Sequence, residues 1–324
     1  MKKIILISLL FFSYFSFSQE TFKVGDTIYY NKETITNNKS IANYYSIIKN
    51  IKRISDDNIK FQMVGYIKDE KSSNYILYSD YITNYAESRI AEGFQRFYHK
   101  NGVKSSEGII KKGVSVGIWK HWYDNGQQMD ERIIPENIVL AKKHKNYTLK
   151  NFWDKNGKQT IINGNGSFEL KRDSLTTKGF YKNGVRHGKF SGLIKDRKYF
   201  NEYYSNGKMI SGISWDVNGK EYNYKQVFHS PRYKRGQKSI AKHIVKNFNI
   251  PKYAYDNNLE GKILITFRIK KDGNVDEIII TKGVCSESDN EAIRVIKLLD
   301  RWKPAKQRGQ AVNIRYTLPI KYNL

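Results

Sequence analysis

Apolar residues return at every second position through most of this chain, and short turns rich in glycine and asparagine separate the runs. Near the C-terminal end, Val312, Ile314, Tyr316, Leu318 and Ile320 alternate with Asn313, Arg315, Thr317 and Pro319. That period predicts a strand with one buried face. Proline cannot donate within a central strand, so Pro319 predicts an edge position. Upstream, Ile263, Ile265, Phe267 and Ile269 alternate likewise, Asp272-Gly273 marks a turn, and Val275 to Thr281 return. Together these predict a hairpin. Two segments change period. In SIAKHIVKNF, Ile240, Ile244, Val245 and Phe248 fall at helical spacing, and Pro251 stops the run. In SDNEAIRVIKLLDRW, Ala292, Val295, Ile296 and Leu299 form an apolar stripe. Ser288 and Glu291 fit a capping box there, Trp302 closes the segment and Pro304 prevents continuation. Residues 240–324 therefore read as a small α+β domain, two helices packed on one face of a three-stranded antiparallel sheet.

Between residues 91 and 224 a degenerate repeat appears. FYHKNG, WYDNG, FWDKNG, FYKNG, YYSNG and SWDVNG end at Gly102, Gly126, Gly157, Gly184, Gly207 and Gly219, at intervals of 12 to 31 residues. Asn-Gly between strand-like runs predicts a type I′ hairpin turn, because both residues tolerate positive φ. Tyr98, Tyr123, Trp153, Tyr181, Tyr204 and Trp215 precede those turns and are expected to stack on one face. A lone hairpin is marginal in water, whereas a row of hairpins shares an apolar face, so an elongated antiparallel sheet follows. Residues 19–90 read as a β-leaning segment of unclear fold: VGDTIYY and NIKFQMVGYIKD suit strands, and NYYSIIKNIKRI suits either strand or helix. Residues 225–239 read as a linker.

Charge and the N-terminus change the picture. The 324 residues carry a formal charge of +26. Such a surface suits nucleic acid, lipid headgroups or another anionic polymer, or is simply a solvated lysine-rich exterior. Residues 1–18, MKKIILISLLFFSYFSFS, place Lys2 and Lys3 before an apolar run from Ile4 to Phe17, with Ser16 and Ser18 around Phe17. This is the pattern of a secretory signal peptide cleaved after Ser18. The run is shorter than the ~20 apolar residues that span a bilayer. Export carries the protein out of the cytoplasm and argues against a nucleic-acid partner. Retention of the run would instead anchor it in the inner membrane, facing the periplasm. Cys285 is the single cysteine, so no intrachain disulfide contributes to stability.

Two family resemblances follow from quoted stretches. KKGVSVGIWKHWYDNG (111–126) and KNGVRHGKFSG (182–192) share Gly-Val, two residues, Gly, one residue and an aromatic. They resemble the variant MORN repeats of bacterial secreted proteins and of the YwqK-type antitoxin family, which implies a scaffold or binding surface. Residues 240–324 resemble the C-terminal domain of the TonB family. LEGKILITFRIKKDGNV is similar to its Gly-x-Val-x-Val-x-Phe strand and Asp-Gly turn. NEAIRVIKLLDRWKPA is similar to its helix ending in Trp-x-Pro-Ala, and GQAVNIRYTLPIKYNL to its final strand ending in Pro-Ile and an aromatic. The resemblance implies that the last strand pairs with a short extended segment of an outer-membrane receptor. That role would fall on the backbone of Ala311, Val312, Asn313, Ile314, Arg315, Tyr316, Thr317 and Leu318, with Asn313 and Arg315 flanking the peptide. The family's Tyr-Pro element corresponds to Ile250-Pro251, so a second partner contact would fall on Pro251 and Tyr253. Force-transmitting members also carry an N-terminal membrane helix and a long proline-rich spacer. Five unclustered prolines make no stiff spacer.

Catalytic and metal-binding constellations are not legible. His99, His121, His144, His187, His229 and His243 are scattered without zinc-site spacing, and His121 and His187 fall inside repeat units with surface or stacking roles. Cys285 has no base near it in sequence. NGNGSF (163–168) does not open a helix as a phosphate loop would. The expectation is a non-enzymatic periplasmic protein, without cofactor or metal, associated with TonB-dependent transport. It would bind an extended peptide of an outer-membrane receptor, or of another envelope protein, by strand addition. Inner-membrane motor proteins become partners only if the N-terminus is kept. The alternative is a secreted repeat scaffold whose basic aromatic surface binds an anionic envelope polymer or another protein, with no transport role.

Overall fold

The computed structural model describes residues 22–31, 34–55, 58–84, 91–136, 147–299 and 301–324, and the signal peptide expected at 1–18 lies outside them. The chain divides into two compact units. The first ends at Tyr147 and takes in Lys155–Gly157, and the second comprises Thr148–Asp154 and Lys158–Leu324.

The first unit contains β1 (Thr27–Asn31), β2 (Thr34–Ile35), β3 (Tyr44–Ser55), β4 (Asn58–Lys68), β5 (Tyr75–Thr83), β6 (Gly93–Tyr98), β7 (Lys104–Lys111), β8 (Val114–Trp122) and β9 (Gln128–Ile134). β1 lies between β2 and β3, and from β3 onward each strand pairs antiparallel with the next. The ambiguous NYYSIIKNIKRI is strand: Tyr44, Ser46 and Ile48 are buried on one face of β3. They join Tyr30, Met63, Tyr81, Ile110 and Trp119 in the core, where Ser46 and Tyr81 share a hydrogen bond of 2.9 Å. The opposite face carries a row of cross-strand partners of alternating charge, Asp80, Arg96, Glu107, Lys120 and Glu131. Arg96 lies 3.5 Å from Asp80 and 3.2 Å from Glu107, and Lys120 lies 3.7 Å from Glu131. A slip of one residue would send every member to the apolar face, so the row helps to fix register. His121 is not a stacking residue alone: its Nδ1 lies 2.6 Å from the buried Asp130 carboxylate, which also pairs with Arg132.

The second unit begins with β10 (Thr148–Trp153), β11 (Gln159–Ile162), β12 (Asn165–Arg172), β13 (Leu175–Lys182), β14 (Val185–Ile194), β15 (Arg197–Ser205), β16 (Lys208–Trp215) and β17 (Glu221–Tyr224), again an antiparallel meander. Glycines set its spacing. A Cβ on Gly179, Gly192 or Gly212 would fall within 3.0 Å of the rings of Phe190, Phe200 or Tyr224. Each ring is buried on a neighbouring strand, and the same pairing joins Gly108 to Trp119 in the first unit. Phe152, Phe168, Tyr181, Phe190 and Tyr204 follow one another at centroid distances of 4.8, 5.5, 5.6 and 5.4 Å. The stacking expected of the residues before the turns is therefore met at Tyr181 and Tyr204, while the rest of the ladder comes from mid-strand phenylalanines.

The turns also differ from expectation. At Asn183-Gly184 and Asn206-Gly207 both residues take positive φ, as type I′ requires. At Gly102, Gly126, Gly157 and Gly219 only the glycine does. There the loop is longer, closed by pairs such as Gly102 N to His99 O (2.9 Å) and His99 N to Val103 O (2.7 Å). The asparagine acts through its side chain instead. Asn101 Oδ1 accepts from Val103 N, and its Nδ2 donates to Asp124 O of the next turn at 2.7 Å; Asn125 repeats this towards Gln127 N and Lys155 O.

The C-terminal part adds β18 (Phe228–His229), β19 (Arg232–Tyr233), α1 (Gln237–Asn247), α2 (Lys252–Asp256), β20 (Gly261–Ile269), β21 (Val275–Lys282), α3 (Ser286–Lys297), β22 (Trp302–Lys303), β23 (Ala305–Gln307), β24 (Gln310–Val312) and β25 (Ile314–Tyr322). Its main sheet has the order β21-β20-β25, and β18-β23-β24 and β19-β22 form two smaller ones. Residues 225–239, read as a linker, thus supply β18 and β19. The core is the expected one: Ile263, Ile265, Phe267 and Ile269 are fully buried with Ala292, Ile296, Trp302 and Ile320. Four details depart from the sequence reading. A third, short helix, α2, follows Pro251. Val245 is 83% exposed, because α1 turns Ile240 and Ile244 inward instead. Trp302 does not close a helix but sits in β22 opposite Tyr233. No capping box forms. α3 starts two residues before Ser288, with extended Cys285 at its N-cap; Ser288 donates to Cys285 O, and Glu291 accepts from Asn249 N. Among the described residues no helix is long and apolar enough to cross a membrane.

Two outcomes follow. Gly192→Ala should destabilise the protein by about 1–3 kcal/mol through overpacking against Phe200, and Phe200→Leu in the same chain should recover part of the loss, a coupling visible in thermal denaturation. Phe267→Ala should cost about 3–5 kcal/mol in urea unfolding, against less than about 0.5 kcal/mol for the exposed Val245→Ala.

Candidate functional site

The strand with the unusual proline is the place to look for a function. β25 pairs with β20 along its whole length, from Gly261↔Tyr322 to Ile269↔Ile314, without a bulge. No second strand pairs with β25 among the described residues. Its alternation is the reason for its position. Ile314, Tyr316, Leu318 and Ile320 face the core, with Tyr316 5.2 Å from Trp302 and 5.8 Å from Phe267.

Pro319 sets the direction of the amides. Its partner across the ladder is Leu264, whose carbonyl accepts from Thr281 Oγ1 on β21 and so faces away from β25. Pro319 therefore occupies a pair that exchanges no backbone hydrogen bond, with its nitrogen on the outer edge, where no donor is missed. Strand amides alternate in direction, so those of Arg315 and Thr317 also face outward, and those of Ile314, Tyr316 and Leu318 face β20. The close Thr266–Thr317 hydroxyl contact of 2.8 Å suits such a pair.

The residues singled out from sequence divide at Asn313. Ala311 and Val312 belong to β24 and pair with Lys306 and Ala305 of β23. Ile314, Arg315, Tyr316, Thr317 and Leu318 lie on the open strand. The side chains expected to flank a peptide are engaged with their own sheet. Asn313 Oδ1 accepts from Lys271 N at 2.9 Å, and Arg315 reaches Glu277 at 3.2 Å. Glu277 also binds Arg268, which grips Asp276 with two bonds of 2.7 and 2.8 Å. That guanidinium holds the Asp276 carboxyl below the usual carboxylate range. What the edge offers is therefore backbone. Pro251 precedes α2 as its N-cap, and Tyr253 on α2 is 53% exposed. Ile250, which stands where the family has tyrosine, and Tyr255 beside it are exposed too, and the sequence reading passed over Tyr255.

A second group of polar residues escaped the sequence reading altogether. The turn Arg308-Gly309 between β23 and β24 contacts Glu202 on β15, and only the basic character of that turn hinted at a role. Among the described residues no group of three or more His, Cys, Asp or Glu side chains is placed to hold a metal ion. Cys285 Sγ lies 3.1 Å from Ser288 Oγ, at the start of α3.

Comparison with known proteins bears on this part of the chain. Among curated proteins none is significantly similar. Among solved structures, the NMR solution structure of the Helicobacter pylori TonB C-terminal domain is 26% identical over 26% of this chain and 77% of that one, with a TM-score of 0.22. Residues 246–324 match the family described as Gram-negative bacterial TonB protein C-terminal, and the matched stretch contains α2, α3 and all three strands of the sheet that ends in the open edge of β25.

Proposed function

We propose that this chain is a non-enzymatic periplasmic protein that binds an extended peptide segment of an outer-membrane receptor, or of another envelope protein, by pairing it with β25. The carrying observation is the bulge-free outer edge of β25, which presents the amides of Arg315 and Thr317 with no partner strand among the described residues. An exposed edge is an aggregation hazard, and Arg315, Pro319 and Lys321 blunt it without closing it. The family match of residues 246–324 supports the same reading, since TonB-type C-terminal domains act in the cell envelope. The hairpin meanders act as a scaffold of the MORN-like kind.

Magnitude limits what the edge does alone. About four backbone hydrogen bonds at roughly 1 kcal/mol each give about 4 kcal/mol, a Kd near 1 mM. Tighter binding needs side-chain contacts, and the exposed Tyr253 and half-buried Pro251 are the candidates that the resemblance assigns.

Short synthetic peptides from periplasm-facing segments of the outer-membrane receptors provide the probe, read by fluorescence anisotropy. Arg315→Pro removes an outward amide and should weaken binding at least tenfold while circular dichroism stays native. Arg315→Ala keeps the amide and should bind as the parent does. Tyr316→Pro removes an amide that faces β20 and should unfold the domain. Equal losses from Arg315→Ala and Arg315→Pro, together with a steep fall in affinity with salt, would sink strand addition and favour attraction between the basic surface and an anionic polymer.

A further inference from the structure

Glu202 of β15 has no exposed surface. Its carboxylate accepts from Tyr204 Oη at 2.8 Å and from Tyr224 Oη at 2.9 Å, and Arg186 stands 3.8 Å away. The remaining partner comes from another part of the same unit. Arg308, at the tip of the β23–β24 hairpin, donates from Nε to Glu202 at 2.8 Å and lays its guanidinium over Phe200, 3.9 Å from the ring centroid.

The backbone of that tip is held as well. Arg308 N donates to Val227 O at 2.7 Å, and the buried Ser214 donates from Oγ to Arg308 O at 2.6 Å. Gln310 Nε2 donates in turn to Ser214 Oγ at 2.9 Å. Arg308 and Gly309 both take positive φ, and a Cβ on Gly309 would meet Tyr222 Cβ at 3.1 Å and Asn223 O at 3.3 Å. The turn is thus fitted to strands β15, β16 and β17 and to the segment that follows β17. The hairpin's second strand, β24, leads through Asn313 directly into β25, and Asn313 itself is tied to Lys271 N.

We propose that the Arg308–Glu202 contact is a latch that anchors the peptide-pairing strand to the repeat sheet, making Glu202, Ser214 and Arg308 positioning residues for an edge they do not touch. The role rests on the strand-addition reading. A peptide that joins a preformed strand pays only for its own ordering, whereas a frayed β25 would have to be ordered as well, and each extra residue fixed on binding lowers affinity. Holding β24 on the repeats keeps the entry to β25 in place before any peptide arrives.

Hydrogen exchange of the full chain without peptide, read by mass spectrometry, tests the latch independently of any ligand. Arg308→Ala should speed exchange at least tenfold over residues 305–316, while β20 and strands β14–β16 keep their rates. Ser214→Ala leaves both charges in place and should give a smaller shift, twofold or more, over the same residues. Unchanged rates over 305–316 in both variants would overturn the latch. So would acceleration spread evenly over β14–β16 in both, which marks general loosening. Peptide affinity then tests positioning: Arg308→Ala should weaken binding about tenfold. Faster exchange with unchanged affinity, for a peptide that Arg315→Pro still weakens, would overturn the positioning role and leave strand addition standing.

Discussion

A flat ring resting on the bare backbone of the neighbouring strand is the interaction on which both meanders depend. Phe190 over Gly179, Phe200 over Gly192, Tyr224 over Gly212 and Trp119 over Gly108 occupy space that any side chain would fill. Glycine weakens a strand through its entropy, and the ring covering it restores packing and excludes water from the exposed peptide groups. The match also fixes register, since a shift of one residue would set the ring against a Cβ and the glycine against nothing. Ladders of aromatic contacts in the second unit and alternating charges in the first then work on a frame already aligned.

The C-terminal sheet is organised differently. Its order comes from fully buried aliphatic residues on β20, covered by Ala292 and Ile296 of α3, with Trp302 wedged between Tyr233, Phe267 and Tyr316. β20 is the central strand, and β21 and β25 are its two flanks. A proline on β25 is compatible with that arrangement only where its nitrogen meets no strand, so one residue type reports the side on which the sheet is open.

Much of this was legible in the sequence because local pattern decides it. Ile263, Ile265, Phe267 and Ile269 alternate in sequence as they do in the core, and Asn-Gly marked six turns correctly. Turn type was less legible. Whether Asn101 or Asn183 takes positive φ depends on loop length, which the dipeptide alone does not set. Val245 and Ser288 misled for a related reason: helical spacing and a capping motif are necessary patterns, and the packing of α1 and the extended Cys285 chose among them. The seat of Arg308 was beyond sequence reasoning. Its partner lies 106 residues away, and a charged residue that becomes fully buried looks, as sequence, like any surface glutamate.

That seat occupies β15, β16 and β17, the last three strands before the C-terminal part begins. Arg186 of β14 also stands 3.8 Å from Glu202, whereas among the described residues no strand upstream of β14 bonds Glu202 or Arg308. Whole hairpin units could therefore be duplicated or deleted there in the course of evolution without disturbing how Arg308 docks, whereas a duplication inserted after β15 would separate Glu202 from Tyr224. The number of hairpins in such a protein would then be adjustable in steps of one, with its terminal fitting kept intact.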